Sequence, residues 1–184
     1  LNNLIFTEGK TSANVKSKFY FDSSNVKFLE KEMKLISQNK TIIRAEDFSL
    51  YELSSFEYQI DKEFLKGKDL FIIEKSNLKD GESDKYYFAD GFFDLKNKTF
   101  KTGSAKIFLK KNIFDRSEND PRLYGVSSSH ENGITSIKKA VFTSCKNDDD
   151  QECPPWRLEA SEIKHDKNKK QLIYENSILK IYDF

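Results

Sequence analysis

The chain has 184 residues, of which 37% are hydrophobic and 33% charged, and this size and composition suit one globular domain rather than a disordered chain. Its 31 basic and 30 acidic side chains give a formal net charge of +1, which argues against binding to nucleic acid by bulk charge. The 16 Phe and 8 Tyr residues stand against a single Met, a mixture that favours strands over amphipathic helices. We therefore predict an all-β protein.

Several segments alternate apolar and polar residues with a period of two, which is typical of strands with one buried face. The apolar faces contain Phe19 and Phe21 in residues 18–22, Ala105, Ile107 and Leu109 in residues 105–110, and Trp156, Leu158 and Ala160 in residues 156–160. Short polar clusters between these segments supply the Asn and Asp residues that turns favour, so hairpins are predicted. Residues 26–35 fit either a short helix or a strand edge.

A weak internal repeat relates residues 93–100 to residues 165–172, and residues 58–65 form a looser third copy. Each copy has an Asp after one strand pattern, then lysine, then the next strand pattern, so the repeating unit is a β-hairpin. Stacked hairpins bury a continuous face that no single hairpin could bury alone. The repeat predicts a sandwich, a jelly roll or a β-solenoid rather than a small closed barrel.

The chain shows no boundary between domains. Neither irregular region, residues 114–133 or 146–155, resembles an interdomain linker, so we predict one domain over residues 1–184. No apolar run approaches the about 20 residues of a membrane-spanning helix. The chain begins at Leu1 without an initiator Met or a signal-peptide pattern, and we expect it to be a piece of a longer protein.

The sequence lacks recognisable catalytic or cofactor motifs. His130 and His165 are not spaced as a metal-ligand pair, and both are expected at surface or turn positions. The seven glycines form no nucleotide-binding or nucleophile motif. The stretch 127–131 is interpreted as a polar loop, and the acidic run 148–150 lacks the glycine and glutamate of a calcium loop. We therefore predict a protein that is not an enzyme and has no metal or cofactor.

Cys145 and Cys153 bracket the acidic loop. Two cysteines in a chain of this size are compatible with free thiols, with one local disulfide, or with bonds to another segment of a longer chain. A zinc site would need two more ligands, which the sequence does not supply as a second cysteine pair.

The last third of the chain carries a more specific pattern. Residues 142–145 read F-T-S-C, residues 156–166 follow W-x-L-x-A-x-x-I-x-H-D, and residues 176–180 follow N-x-x-L-K. This combination resembles the N-terminal OstA-like periplasmic domain of the outer-membrane LPS-assembly family LptD. Residues 1–132 resemble that family only in their general pattern, which is paired strands separated by short turns that contain Asp, Asn and Lys.

The resemblance implies an antiparallel β-jelly roll, an incompletely closed sandwich that precedes an outer-membrane barrel. In that family the periplasmic domain accepts lipopolysaccharide (LPS) from a bridge of similar jelly-roll proteins and passes it along an apolar groove to the barrel. The implied location is the periplasm, attached to the outer membrane through the barrel. The implied partners are LPS, the bridge protein, the barrel and its plug lipoprotein. The bridge would add a strand to an open edge near residues 4–7 and 15–21.

The resemblance also suggests functional residues. Cys145 matches a family position that forms a disulfide to the barrel, Cys153 is less constant in the family, and the two could instead pair locally. The groove candidates are the apolar residues expected to face the interior, most of them as ordinary core and only a subset as lipid contacts. They are Phe19, Phe21, Phe48, Leu50, Phe88, Ile107, Leu109, Val141 and Leu158.

Two alternative functions stay open. The first keeps the same fold but makes the chain a soluble periplasmic LPS-bridge protein. The second is a jelly-roll carbohydrate-binding module or glycan-acting enzyme. Such a site would display exposed Trp or Tyr platforms with convergent carboxylates, and the single Trp of this chain offers it little support.

Overall fold

The structure is a computed structural model that describes residues 4–15, 18–79, 81–114, 119–146 and 155–181. These ranges form eighteen β-strands and two short 3-10 helices, Glu30–Glu32 and Lys111–Phe114. The strands are β1 (Leu4–Phe6), β2 (Lys10–Val15), β3 (Phe19–Ser24), β4 (Lys27–Leu29), β5 (Lys34–Ser37), β6 (Thr41–Ala45), β7 (Leu50–Leu53), β8 (Ser55–Gln59), β9 (Phe64–Ile73), β10 (Lys85–Asp94), β11 (Thr99–Thr102), β12 (Ala105–Phe108), β13 (Arg122–Gly125), β14 (Ser127–Glu131), β15 (Ile134–Thr143), β16 (Trp156–Asp166), β17 (Gln171–Glu175) and β18 (Ile178–Ile181). Within the described ranges, no helix is long and apolar enough to cross a membrane.

All strand pairs are antiparallel, and they form one hydrogen-bonded network that folds into two sheets. Four long strands, β9, β10, β15 and β16, run through both sheets. For example, residues 64–68 of β9 pair with β8, whereas residues 71–73 of the same strand pair with β7. Sheet I has the strand order β1-β4-β5-β8-β9-β10-β11-β14-β15-β16-β17. Sheet II has the order β2-β3-β6-β7-β9-β10-β12-β13-β15-β16-β18.

The hydrophobic core lies between the two sheets. The ring of Phe21 in sheet II lies 6.0 Å from the ring of Phe56 and 5.3 Å from that of Tyr58, both in sheet I. Burial alternates along the strands, so that one side of each sheet faces the partner sheet and the other faces solvent. This arrangement confirms the predicted all-β class and the jelly-roll-like sandwich of antiparallel strands.

The two sheets meet at a crease where the long strands bend. Asp69 in β9 and Lys139 in β15 both adopt a left-handed backbone with φ of 47°, and both are skipped in the pairing register of their strands. A Cβ atom at Gly67 would collide with the side chain of Leu53, so this close approach beside the crease requires glycine. These irregularities let a single strand contribute to both sheets.

The predicted hairpin repeat is present in the structure. The three copies are the hairpins β8–β9, β10–β11 and β16–β17, and all three turns lie at the free end of sheet I. The aspartates of the two closest copies stabilise their turns. Asp94 Oδ1 accepts a hydrogen bond of 2.9 Å from the backbone N–H of Asn97, and Asp166 Oδ1 accepts one of 3.0 Å from that of Asn168.

For residues 26–35, the structure agrees with the strand alternative and not with the helix. They form β4, a 3-10 turn and β5, and Met33 closes that turn with a φ of 49°. Residues 127–131 form strand β14, so their interpretation as a polar loop is wrong. The predicted open edge is correct for β1 and for Val15 in β2, which pair on one side only among the described residues. Phe19 and Phe21 are not at this edge, because β3 lies between β2 and β6.

Candidate functional site: an apolar cleft between the sheets

The two sheets diverge on the side away from the crease and leave a cleft of about 620 Å³. This volume lies within the range of about 300–1,000 Å³ that is usual for ligand sites. The walls are aromatic and aliphatic. Sheet II contributes Phe19, Tyr51, Ile72 and Tyr86, and sheet I contributes Phe93, Phe100 and His130. The cleft is therefore an apolar space with one side open to solvent.

The rim of the cleft carries charged side chains from the strand-connecting turns. Its lysines are Lys18, Lys75, Lys96 and Lys98, and its acids include Asp47 and Asp94. Two of these acids are engaged locally: Asp47 Oδ1 accepts a hydrogen bond of 3.0 Å from the Ser49 N–H, and Asp94 Oδ2 accepts one of 2.7 Å from the Asn97 side chain. Glu46 also lines the cleft. The four lysines form no ion pair with any described residue. Their ammonium groups can meet anionic groups of a ligand whose apolar part fills the cleft.

A polar cluster joins the two sheets at one end of the cleft. Lys167, in the turn after β16 of sheet I, donates hydrogen bonds of 2.6 and 2.7 Å to the two carboxylate oxygens of Glu74. Its Nζ also lies 3.3 Å from Asp84 Oδ2. Glu74 directly follows β9, and Asp84 directly precedes β10, both in sheet II. The single hydroxyl proton of Tyr86 is shared between two acceptors, Glu74 Oε1 at 3.0 Å and Asp84 Oδ2 at 3.3 Å.

Burial fixes the protonation state of several groups in this region. The pKa of Tyr86 is raised well above its usual value, first by burial and then by the charges of Glu74 and Asp84, so its hydroxyl stays a donor. Burial also lowers the pKa of His130 and of His165, which favours neutral imidazoles at pH 7.

His165 is only 4% exposed, so its expected surface or turn position is wrong. It occupies an inward position of β16 opposite Leu172 of β17.

The structure places the nine groove candidates in three environments. Phe19 lines the cleft. Phe21, Phe88, Ile107 and Leu109 are buried in the core, and Leu158 packs against it. These five are consistent with the ordinary core role expected for most candidates.

Phe48, Leu50 and Val141 do not face the interior. Phe48 lies in the turn between β6 and β7 with a φ of 65° and is 61% exposed. In β7 it is Tyr51 and Leu53 that pack in the core, so Leu50 points to the other face. Val141 stands between the buried Ala140 and Phe142 and therefore also points outward. Phe48 and Leu50 belong to the alternation that faces outward around β7, and Val141 to the one that faces outward in β15, so the predicted inward face is the wrong one at all three positions.

Several cleft residues were missed by the sequence reasoning. Tyr51, Ile72, Phe93 and Phe100 are the inward residues nearest the free ends of their strands. Position along the strand could have predicted these residues. An inward aromatic or aliphatic residue within one or two residues of a hairpin turn lies at the mouth of the sandwich. The Lys167–Glu74 pair has no such signal, because the two residues are 93 positions apart.

Of the two cysteines, the structure describes Cys145 only. Cys145 is half-buried, and its carbonyl accepts a hydrogen bond of 2.6 Å from Arg122 Nη1. It forms no disulfide with any described residue. Cys153 and the acidic run 148–150 lie outside the described residues, so the disulfide expectations stay predictions. Within the described part of the chain, no three His, Cys, Asp or Glu side chains are grouped as a metal site.

No protein-family model matches this chain, and no curated protein matches it.

Proposed function

We propose that this chain is a periplasmic domain of the LPS-assembly translocon, which accepts LPS from a bridge of similar jelly-roll proteins and passes it towards an outer-membrane barrel. The observation that carries the proposal is the apolar cleft of about 620 Å³ between the two sheets. The alternative of a soluble bridge protein uses the same cleft and the same chemistry.

The shape of the cleft suits an amphiphile with several acyl chains. Each CH₂ group removed from water contributes about 0.8 kcal/mol, so acyl chains need a continuous apolar environment during transfer. The walls formed by Phe19, Tyr51, Ile72 and Phe100 supply such an environment. The open side allows sugars and phosphates to stay in water, next to the lysines of the rim. Transfer of this kind needs no covalent chemistry.

The sheet edges suit partner proteins. Leu4, Ile5 and Phe6 of the edge strand β1 are 52%, 56% and 47% exposed. An exposed apolar edge with free backbone hydrogen-bonding groups is a template for strand addition, which is the role we assign to the bridge protein. At the C-terminal edge of sheet II, Ile178 and Leu179 of β18 are 62% and 56% exposed. We assign this second edge to the side of the barrel and its plug lipoprotein, in the periplasm at the outer membrane.

A second candidate, glycan binding, is favoured by a specific feature on the outer face of sheet II. The ring of Tyr87, which is 41% exposed, stacks on Phe71 at 4.5 Å between centroids. Both residues line an outer cavity of about 520 Å³ together with Tyr124. Exposed aromatic rings are platforms on which sugar rings can stack. This site would bind oligosaccharides without lipid.

One pair of variants separates the two candidates. Ala45→Trp fills the cleft, whereas Ala89→Trp fills the outer cavity, and both residues are small wall positions. Binding of the purified chain to LPS and to its acyl-free saccharide is measured by calorimetry, with circular dichroism as the folding control. We expect Ala45→Trp to weaken LPS binding at least tenfold and Ala89→Trp to leave it unchanged. Equal binding of LPS by all three proteins would contradict the lipid-transfer proposal, and saccharide binding lost only in Ala89→Trp would favour the second candidate.

A further inference from the structure

The cross-sheet ion pair has a particular place relative to the cleft. In sheet I the cleft is lined by residues of β10, β11 and β14 and of the turn between β10 and β11. The next two strands in that sheet are β15 and β16, and Lys167 lies in the turn that follows β16. Glu74 and Tyr86 belong to the cleft wall itself. The ion pair therefore spans the open side at the end of the cleft that faces the C-terminal sheet edge.

The Lys167 ammonium group has several partners, whereas an isolated surface ion pair has one. Both carboxylate oxygens of Glu74 accept from Lys167, the Asp84 carboxylate lies beside the same ammonium group, and the Tyr86 ring lies under it at 5.4 Å. The Lys167 side chain is 27% exposed and that of Glu74 is 43% exposed. An ion pair between side chains with this degree of exposure is weak, because water can solvate the separated charges. The Asp84 carboxylate beside the pair is 9% exposed. The contact can therefore hold the mouth closed and still be reversible.

Further apolar surface lies beyond the pair. Leu172 and Tyr174 of β17, together with Trp156 of β16, are partly buried and pack against the core near the C-terminal edge. The ring of Tyr174 lies 6.1 Å from that of Phe142. In the strand order of sheet I, Lys167 lies between the cleft-lining strands and this edge, so a head group that moves along the open mouth towards the edge meets the Lys167–Glu74 pair.

We propose that the Lys167–Glu74 ion pair is a latch across the open side of the sandwich, which retains an anionic amphiphile in the cleft and opens when the amphiphile moves on to the C-terminal apolar surface. The inference rests on the proposed lipid-transfer function, of which it is a control element. When the latch opens, the ammonium group of Lys167 loses Glu74 and keeps only the Asp84 carboxylate, 3.3 Å away. A phosphate or carboxylate of the moving head group can take the place of Glu74 there.

A measurement without ligand tests the latch itself. Spin labels are placed at Lys75→Cys and Lys170→Cys, on opposite sides of the mouth, in a chain carrying Cys145→Ser and Cys153→Ser. We expect Lys167→Ala to lengthen and broaden the distance distribution between the labels. The matched control is Lys169→Ala, because Lys169 lies in the same turn but pairs with Asp166 of its own sheet at 3.8 Å. Glu74→Gln removes the same pair from the other side and serves if Lys167→Ala does not fold. Unchanged distances in both latch variants would overturn the proposal.

A second measurement follows the ligand, using LPS as the probe. A photoreactive amino acid replaces Phe100 in the cleft or Tyr174 beyond the latch, and the yield of LPS crosslinks is compared between the two sites. We expect Lys167→Ala to raise the ratio of crosslinks at Tyr174 to those at Phe100 at least threefold, and Lys169→Ala to leave it unchanged. If LPS crosslinks at Phe100 but Lys167→Ala leaves the ratio of Tyr174 to Phe100 crosslinks unchanged, the latch proposal is overturned and the lipid-transfer proposal is not. The absence of crosslinks at Phe100 in every variant would overturn the lipid-transfer function, and the spin-label distances would still decide whether the mouth is latched.

Discussion

Removal of one hydroxyl group, in Tyr58→Phe, is expected to stabilise this protein. Tyr58 in β8 is 0% exposed, and its ring lies against Phe21 at the centre of the core. Its hydroxyl has no hydrogen-bond partner in the part of the chain that the structure describes. Burial, with Glu63 nearby, raises the pKa of Tyr58 to about 12, so the hydroxyl is buried in its neutral form.

The expected size of the effect follows from the cost of burying an unsatisfied polar group. That cost is about 1–3 kcal/mol, and Phe fills the same space without it. We expect Tyr58→Phe to raise the free energy of unfolding by about 1 kcal/mol, which corresponds to a rise in Tm of about 2–4 °C for a chain of this length. The matched control is Tyr86→Phe, which deletes hydrogen bonds to Glu74 and Asp84. Because both acceptors are carboxylates, this variant should lose about 1.5–3 kcal/mol.

Thermal and urea unfolding of the two variants, followed by circular dichroism at pH 7, measure both effects. Both variants remove one tyrosine hydroxyl group. A higher free energy of unfolding in Tyr58→Phe and a lower one in Tyr86→Phe would support the assignment of hydrogen bonds in the core. A Tm lowered by Tyr58→Phe would refute the reasoning, because it would show that the buried hydroxyl has a partner.

Three further predictions follow from burial and charge. Ile107→Ala should cost about 2–5 kcal/mol because the side chain is 1% exposed, whereas Phe48→Ser should change stability by less than about 0.5 kcal/mol because Phe48 is 61% exposed; urea unfolding compares them. The hydrogen bonds from Asn97 hold the pKa of Asp94 below its usual value, so its contribution is present above about pH 4 and disappears on acidification. The Tm difference between Asp94→Ala and the unmodified chain should therefore shrink from pH 7 to pH 3. Because burial raises the pKa of Tyr174 to about 12, stability should fall as the pH rises above about 10, and less steeply in Tyr174→Phe.

The strands were largely predictable from the sequence, because burial on one face imposes a period of two on the apolar residues. The alternation around Ile107 and Leu158 and the Asp-containing turns at Asp94 and Asp166 identified both the strands and their hairpins. The crease was not predictable in this way. Asp69 and Lys139 adopt left-handed backbone conformations, for which glycine would be the usual choice, and the sequence has no glycine at either position.

The candidate site was harder to predict than the fold. Phe19, one of the predicted groove candidates, lines the cleft, and so do Tyr51, Ile72 and Phe100, which the sequence did not predict. Alternation separates inward from outward residues along a strand, and it does not say which inward residues lie at the open mouth. Which inward residues lie at the mouth depends on how the two sheets pack against each other. The pairing of Lys167 with Glu74 depends on the same packing.

The most direct test of the lipid-transfer proposal compares two neighbouring residues of β9. Ile72 is 6% exposed and lines the cleft, whereas Ile73 is the next residue of the same strand and points to the opposite face. A photoreactive amino acid is placed at each position in turn in the full chain, and crosslinks to LPS are detected after illumination in cells. The account predicts crosslinks from position 72 and none from position 73. Equal crosslinking from both positions, or crosslinking from position 73 alone, would show that LPS does not occupy the cleft between the sheets.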